Sequence, residues 1–202
     1  PGICGGRIRV IVHRPLEGTF KFARIVLRPS GWYVQCVCAP EPSPLPKKDN
    51  AVGLDMGIRY LVADSDGGSV ENPRHARASA RKLARAQRKL AKCKKGSNRR
   101  KKARRIVARQ HERIANQRKD TLHKASRRYV DRYQTIVIED LKVANMVRNH
   151  CLAFAIADAS WGMFRQYLES KAESAGRQVI AVAPAYTSQK CSQCKEYVSK
   201  SL

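Results

Sequence analysis

A single carboxylate inside an apolar strand segment is the feature that most constrains this sequence. Asp55 lies in the run Val-Gly-Leu-Asp-Met-Gly at residues 52–57, where small neighbours leave room for another backbone or a ligand. A second strand at 59–64, a turn at 65–68 and a third strand at 68–71 predict an antiparallel sheet. Because a buried carboxylate is costly unless it is paired, a bound cation is one interpretation of Asp55. An exposed residue at a strand end is the other, and the local pattern leaves both open.

A second apolar strand also ends in an acid. Residues 135–139 read Thr-Ile-Val-Ile-Glu, which is β-branched and apolar as far as Glu139. If the two strands are neighbours in one sheet, Asp55 and Glu139 deliver two carboxylates to one place. Hard oxygen ligands of this kind hold magnesium ions, and two-metal cleavage of phosphodiester bonds requires them. We therefore expect Asp55 and Glu139 to be the catalytic and magnesium-binding residues, and we leave out Asp140 because consecutive side chains of a strand face opposite sides.

Positive charge is concentrated in the middle of the chain, whose net charge is +25. Residues 74–129 change to a helical pattern, and the Gly, Ser and Asn at 94–98 predict the turn of a helical hairpin. A narrow stripe at near-helical spacing contains Leu83, Gln87, Leu90, Ile106, Ile114, Leu122 and Tyr129. The other faces carry the cations that we assign to nucleic-acid binding: Arg81, Lys82, Arg85, Arg88, Lys89, Lys92, Arg99, Arg100, Lys101, Lys102, Arg104, Arg105 and Arg109.

Repulsion within this basic segment indicates an anionic partner. Like charges three and four residues apart weaken each helix unless a partner screens them. Nucleic acid is the first candidate, because every neutralised phosphate releases counterions, and the near absence of aromatic residues favours phosphate contact over base reading. A solvated helix face is the simpler alternative. An anionic membrane is the weaker one, since the helices lack an apolar face that could enter lipid.

The region before the sheet reads as a separate β segment. Residues 7–39 alternate and predict three antiparallel strands, which are too few to close a barrel and so suggest part of a larger β domain. The prolines of residues 40–50 predict a stiff linker and a domain boundary. With 202 residues, the chain allows one large domain or two small ones.

The region after Glu139 is predicted to be a loop at 141–152, then a helix, then a strand at 178–183. Asp158 or Ser160 is the expected N-cap of that helix, which should end near Gly176. Its core-facing side is expected to consist of Trp161, Phe164, Leu168 and Ala172.

Two of the seven cysteines have metal-ligand spacing. Cys191 and Cys194 form a C-x-x-C sequence in a polar turn, which is half of a tetrahedral zinc site. A redox pair and an incidental pair are open alternatives. The remaining cysteines are interpreted as apolar fillers or free thiols: Cys4, Cys36, Cys38, Cys93 and Cys151.

Nothing in the sequence indicates a membrane. No apolar run approaches membrane-spanning length and no signal peptide opens the sequence, so we expect a cytoplasmic protein. A small-molecule substrate is not expected either. Because the sequence begins with Pro1 and stops shortly after one C-x-x-C pair, we expect it to be a partial chain.

Five motifs in a fixed order resemble one known family. They are Gly-Leu-Asp-Met-Gly at 53–57, Lys-Lys-Gly-Ser at 94–97, Ile-Glu-Asp-Leu at 138–141, Asp-Ala-Ser-Trp-Gly at 158–162 and Thr-Ser-Gln-Lys-Cys-Ser-Gln-Cys at 187–194. The ordered set resembles the TnpB (OrfB) proteins of bacterial insertion sequences, which are relatives of type V CRISPR effector nucleases. The resemblance covers nearly everything from about Arg7 onward.

This resemblance implies a mixed α/β fold with three parts. Residues 48–184 would be an RNase H-like RuvC nuclease domain, with the basic helical hairpin inserted at about 74–130. Residues 1–47 would be the end of an antiparallel, oligonucleotide-binding-like wedge domain with its linker, and 185–202 would be a truncated zinc ribbon.

The resemblance also implies a function. It matches Asp55 and Glu139 to the catalytic acids and Cys191 and Cys194 to zinc ligands, and it implies a transposon-associated endonuclease that cuts DNA with Mg²⁺. Guide RNA and target DNA would be its partners. The family pattern continues with a second C-x-x-C and a final catalytic Asp, so these residues alone are expected to be inactive.

Two other functions are alternatives. The first is a nucleic-acid-binding relative without catalysis, such as a repressor or a guide-RNA-binding protein; the intact Asp55 and Glu139 argue against it. The second is a basic ribosome-associated protein, which explains the charge but not two acids at the ends of apolar strands.

Overall fold

A computed structural model describes residues 9–13, 15–39 and 44–183 of the chain, and it shows a mixed α/β protein. These residues belong to two compact units, one drawn from Pro1–Pro42 with Arg85–Glu112 and the other from Ser43–Ala84 with Arg113–Leu202. No helix in the described ranges is long and apolar enough to cross a membrane. In chain order the elements are β1 (Thr19–Arg28), β2 (Gly31–Ala39), β3 (Ala51–Asp55), β4 (Tyr60–Asp64), β5 (Ser69–Glu71), α1 (His75–Ala91), α2 (Asn98–Arg132), β6 (Thr135–Glu139), α3 (Val143–Met146), α4 (Ala153–Ala159), α5 (Trp161–Ala175) and β7 (Gln178–Val182).

The larger unit is built on a five-stranded sheet with the order β5-β4-β3-β6-β7. The hairpin-connected strands β3, β4 and β5 are antiparallel, whereas β6 is parallel to β3 and β7 is parallel to β6. The three strands predicted around Asp55 are antiparallel as expected, but the sheet continues through β6 and β7, which run parallel. The physical reason is the connection between β5 and β6, because two long helices give the chain enough length to return and run parallel.

Among its described residues, the smaller unit has one β-hairpin where three strands were predicted. Strands β1 and β2 pair in an antiparallel register from Thr19 opposite Ala39 to Arg28 opposite Gly31. Residues 9–13, which are the described part of the first predicted strand, join no ladder. Alternating apolar residues form a strand only where a neighbour accepts and donates backbone hydrogen bonds, so the pattern alone was not sufficient.

The helical hairpin and its turn agree with the sequence prediction. Ser97 caps α2, since its hydroxyl accepts a hydrogen bond from the Arg100 N–H at 3.2 Å. The Arg100 guanidinium donates to the carbonyls of Leu90 (3.2 Å) and Cys93 (3.0 Å), which closes the turn against the end of α1. Along α2 the predicted residues Ile114, Leu122 and Tyr129 are buried, but Ile106 is 54% exposed.

Helix α5 also packs into the hydrophobic core. Its four predicted apolar residues, Trp161, Phe164, Leu168 and Ala172, are all buried. The helix ends at Gly176, whose left-handed φ of 67° is the conformation that favours glycine at this position.

Two predictions between β6 and α5 were wrong. The predicted loop at 141–152 contains the short helix α3, whose four residues make only one turn and carry too weak a pattern to detect. Ser160 precedes α5 but does not cap it, because its hydroxyl donates to the Ala157 carbonyl at 2.8 Å. The Asp158 carboxylate instead accepts hydrogen bonds from the first turn of α1.

Cationic and amide side chains hold the end of α2, where the helix leaves backbone carbonyls without partners within the helix. Lys48 donates to the carbonyls of Asp131 and Arg132, at 2.7 and 3.2 Å. The buried Arg177, 7% exposed, donates to the carbonyl of Val130 and to the side chain of Gln134. Positive charge at this end of a helix also offsets the negative end of the helix dipole.

Replacement of Arg177 by Met should destabilise the protein. Methionine has an unbranched apolar side chain that donates no hydrogen bond, so the Val130 carbonyl at the end of α2 and the Gln134 side chain lose this donor. We expect a loss of about 2–4 kcal/mol in the free energy of unfolding, measured by urea denaturation. The exposed Arg148, replaced in the same way, is the control and should change stability by less than about 0.5 kcal/mol. Equal losses in the two variants would contradict the proposed role of Arg177.

Candidate functional site

Asp55 and Glu139 are the last residues of two adjacent parallel strands. Leu54 of β3 lies opposite Ile138 of β6, so the two acids follow one step further along the same register. Leu54 and Ile138 are buried, and the residues after them face the opposite side of the sheet. Both carboxylates therefore lie at the carboxyl ends of neighbouring strands. They are on the same face of the sheet, away from the buried core.

The two acids line one cavity of about 350 Å³. Asp55 is exposed and Glu139 is half-buried. Small residues make up much of the rest of the surface, which leaves the face of the sheet open beside the carboxylates. The lining residues are Gly53, Leu54, Asp55, Ala63, Asp64, Ser65, Val137, Ile138, Glu139 and Val182.

Other acids near this edge have structural partners. Asp64 accepts hydrogen bonds from the Gly68 N–H (2.6 Å) and from the Tyr129 hydroxyl (3.1 Å). A Cβ on residue 68 would lie 2.6 Å from an Asp64 oxygen, so a larger residue would displace the carboxylate from this position. Asp140, which the sequence analysis left out, forms an ion pair with Arg165 of α5.

The donor set at this edge fits a magnesium ion in its chemistry. Over residues 9–13, 15–39 and 44–183, no group of three or more His, Cys, Asp or Glu side chains is arranged to hold a metal. Mg²⁺ does not need such a cluster, because it keeps several waters and binds through one or two carboxylates together with phosphate oxygens. Two carboxylates at an open edge are therefore compatible with magnesium, whereas a fully protein-coordinated ion would need more ligands.

The cations assigned to nucleic-acid binding do not all have the same role. All of them are exposed except Arg100, which is half-buried and closes the hairpin turn. Arg109 also has a structural contact, since its Nε donates to the Pro29 carbonyl at 3.0 Å. The side chains of Lys101, Lys102 and Arg105 line a basic cavity of about 330 Å³ near the start of α2. No acid occurs in the first turn of this helix, where the dipole favours anions.

The predicted zinc ligands Cys191 and Cys194 lie outside the described residues. Within the described part of the chain, the cysteines with free thiols are Cys36, Cys38, Cys93 and Cys151, as interpreted from the sequence.

Sequence analysis missed Ser65, which supports the strand that carries Asp55. The Ser65 hydroxyl accepts a hydrogen bond from the Gly53 N–H at 3.1 Å, and the Ser65 N–H donates to the Gly53 carbonyl at 2.9 Å. The hydroxyl thus provides a partner for the Gly53 N–H at a point where β4 has already ended at Asp64. A serine in a turn is so common that no signal in the sequence distinguishes this one.

The fold and these residues define the class: a mixed α/β protein with two carboxylates at one sheet edge and a strongly basic helical hairpin. The OrfB_IS605 profile, described as a probable transposase, matches residues 34–150, and the chain belongs to this family. Residues 161–201 match the Cas12f1-like TNB domain. These matches confirm the family resemblance of the ordered motifs.

Three relatives show how far the similarity extends. A protein of Streptomyces pristinaespiralis, provisionally named an RNA-guided DNA endonuclease, is 45% identical over 83% of this chain and 42% of its own length. InsQ of Escherichia coli K12, which carries the same provisional name, is 35% identical over 94% of this chain and 51% of its own. The CRISPR-associated endodeoxyribonuclease Cas12f1 of Sulfoacidibacillus thermotolerans is 29% identical over 95% and 49%. The chain thus spans about half the length of the curated relatives it matches.

The contact between Tyr129 and Asp64 predicts a loss of stability in alkali. Burial, reinforced by the neighbouring Asp64 carboxylate, raises the pKa of Tyr129 to about 12, compared with about 10 in an unfolded chain. The folded state therefore holds the phenol proton more tightly, and the resulting stabilisation is complete below pH 10 and is lost as the pH rises towards 12. In Tyr129→Phe, the free energy of unfolding should fall less steeply between pH 10 and 12 than in the unchanged protein, as measured by urea denaturation.

A second variant tests the role of the carboxylate in this effect. Asp64→Asn removes the negative charge, so the pKa of Tyr129 should move back towards 10 in a spectroscopic titration of tyrosine. An unchanged pH dependence in Tyr129→Phe would show that this contact does not contribute to alkaline unfolding.

Proposed function

We propose that this chain is the nuclease part of a transposon-associated, RNA-guided DNA endonuclease. One observation carries the proposal: Asp55 and Glu139 end adjacent parallel strands in register and line one open cavity. The provisional names of the Streptomyces and Escherichia relatives support the same activity. Because those proteins are about twice as long as this chain, the proposal concerns the full-length protein.

The chemistry proposed for this edge is hydrolysis of a phosphodiester bond. Magnesium ions, when bound, would assist the attacking water and stabilise the charge on the leaving oxygen. Asp55 and Glu139 would supply the carboxylate ligands, and the small side chains beside them leave space for a sugar–phosphate backbone. The oxygen of water forms the new bond to phosphorus and gives up a proton, the bond to the leaving oxygen breaks, and that oxygen takes up a proton.

The helical hairpin would bind the phosphates of the guide RNA or the target DNA. Its exposed lysines and arginines greatly outnumber the acids on the two helices, so the charge is not compensated within the helices. Contacts with phosphates position a nucleic acid without reading its sequence, which suits a protein that reads sequence through guide pairing.

The finer assignments of domains and cofactors belong to the same proposal. The sheet, with hairpin-connected antiparallel strands followed by two parallel ones, supports an RNase H-like RuvC domain. The β1–β2 hairpin would belong to a wedge domain. Cys191 and Cys194 would provide half of a structural zinc site, as their C-x-x-C spacing indicates. The protein would act in the cytoplasm.

Loss of either acid should abolish cleavage while nucleic-acid binding remains. In the full-length protein, Asp55→Ala and Glu139→Ala should each reduce the rate of magnesium-dependent cleavage by about a hundredfold or more. Cleavage of guide-matched DNA is the measurement, and removal of magnesium with a chelator should have the same effect. Asp140→Ala is the matched control, because it removes a neighbouring acid that pairs with Arg165, and it should retain most of the activity.

Two outcomes would contradict this proposal. Cleavage that survives Asp55→Ala would show that the acids do not catalyse it. Nucleic-acid binding by the unchanged full-length protein without any cleavage would favour the non-catalytic relative.

Phosphate contact by the hairpin should appear in the salt dependence of RNA binding. Lys101→Ala combined with Lys102→Ala should lower the slope of log affinity against log salt by roughly 1 to 2, since each lost phosphate contact removes about 0.7 to 0.9. A labelled single-stranded RNA and the full-length protein would be used over a range of salt concentrations.

The control removes the same charge elsewhere on α2. Lys124 and Arg127 are already paired with Asp120 and Asp131, so replacing both with Ala should leave the slope nearly unchanged. Equal slopes for the two double variants would mean that only net charge matters and that the hairpin tip has no special role.

A further inference from the structure

One buried acid has no place in the chemistry proposed above. Asp158 lies in α4 and is 7% exposed. Both of its carboxylate oxygens lie 3.0 Å from the backbone nitrogen of Ala76, and one also accepts a hydrogen bond from the N–H of Arg77 at 3.2 Å. Arg118 of α2 lies 3.3 Å away and forms an ion pair with it.

Helix α1 needs this carboxylate because its own sequence does not provide a cap. The first turn of α1 contains no acid, and the N–H groups of a first turn have no partners within the helix. The residue before the helix, Arg74, has a φ of 47°, and it carries the same charge as the positive end of the helix dipole. A carboxylate supplied by a residue far along the chain therefore accepts hydrogen bonds from two of these N–H groups and places negative charge at the positive end of the dipole.

The same contacts join α1 to α2. Asp158 bridges the start of α1 and the Arg118 side chain of α2. A second link lies beside it, since the His75 ring is hydrogen-bonded to the Thr121 hydroxyl at 2.9 Å. The base of the helical hairpin is thus held at two points, and one of them depends entirely on Asp158.

We propose that Asp158 is a positioning residue for nucleic-acid binding, which fixes the start of α1 against α2 so that the cations of both helices bind phosphates together. The inference rests on the proposed function only in taking nucleic acid as the partner of the hairpin. It gives a role to the Asp-Ala-Ser-Trp-Gly motif that is separate from catalysis.

The sign of the effect on binding separates positioning from simple charge. Removing an acid makes the protein more positive, so electrostatics alone predicts tighter RNA binding. Positioning predicts the opposite. In the full-length protein, Asp158→Ala should weaken binding of a labelled polyuridine RNA by about threefold to tenfold and make its salt dependence shallower.

Asp120→Ala is the matched control. It also removes one acid, but this acid lies on α2, is exposed, and pairs with Lys124 four residues further along the same helix. RNA binding should become slightly tighter or stay the same in this variant. Hydrogen exchange at the amides of Ala76 and Arg77 should become faster in Asp158→Ala and remain unchanged in Asp120→Ala.

A conservative variant keeps the test decisive if the alanine variant does not fold. Asp158→Asn retains the shape and one oxygen acceptor, so it should fold, as checked by circular dichroism, and should bind RNA with intermediate affinity. Binding as tight as in Asp120→Ala, from either folded Asp158 variant, would overturn the proposal. Failure of Asp55→Ala to stop cleavage would overturn only the proposed function, because the RNA-binding comparison does not involve catalysis.

Discussion

The parallel pairing of β3 with β6 is the constraint on which the candidate site depends. It places two strands from distant parts of the chain side by side and in register, and each of them ends in an acid. A shift by one residue would turn one carboxylate towards the buried side of the sheet, where a charge is costly. The apolar residues Leu54 and Ile138, buried one position earlier, therefore set the direction of Asp55 and Glu139.

The acidic and the cationic side chains of this protein have different structural roles. Several acids are held by internal partners: Asp158 by the start of α1, Asp64 by Tyr129, and Asp66 by Tyr133. They are used to fix helices and turns, and they do not compensate the exposed cations of the hairpin. The positive charge of the hairpin is therefore in excess over the acids of its two helices, and under the proposed function the phosphates of a nucleic acid would balance it. Helix α1 of this basic hairpin has no buried residue.

The long helix α2 contributes both to the hydrophobic core and to the basic hairpin. Its end near β6 is held by Lys48 and Arg177, and its buried residues Leu122 and Tyr129 belong to the core. Its beginning, at the hairpin turn, exposes lysines and arginines instead. One helix thus changes along its length from core packing to solvent-exposed charge, which is why a single hydrophobic stripe described only its second half correctly.

The sequence by itself determined the local structure of this protein. The strand that ends at Glu139, the helical hairpin, the buried face of α5 and its end at Gly176 follow from periodicity and from the preferences of individual residues. Only the tertiary structure decided which distant segments come into contact. It set the parallel direction of β6, the absence of a strand at residues 9–13, and the capping of α1 by Asp158. The physical reason is that these features depend on hydrogen bonds between residues far apart in the chain, such as Ala76 and Asp158, and a local pattern contains no information about the distant partner.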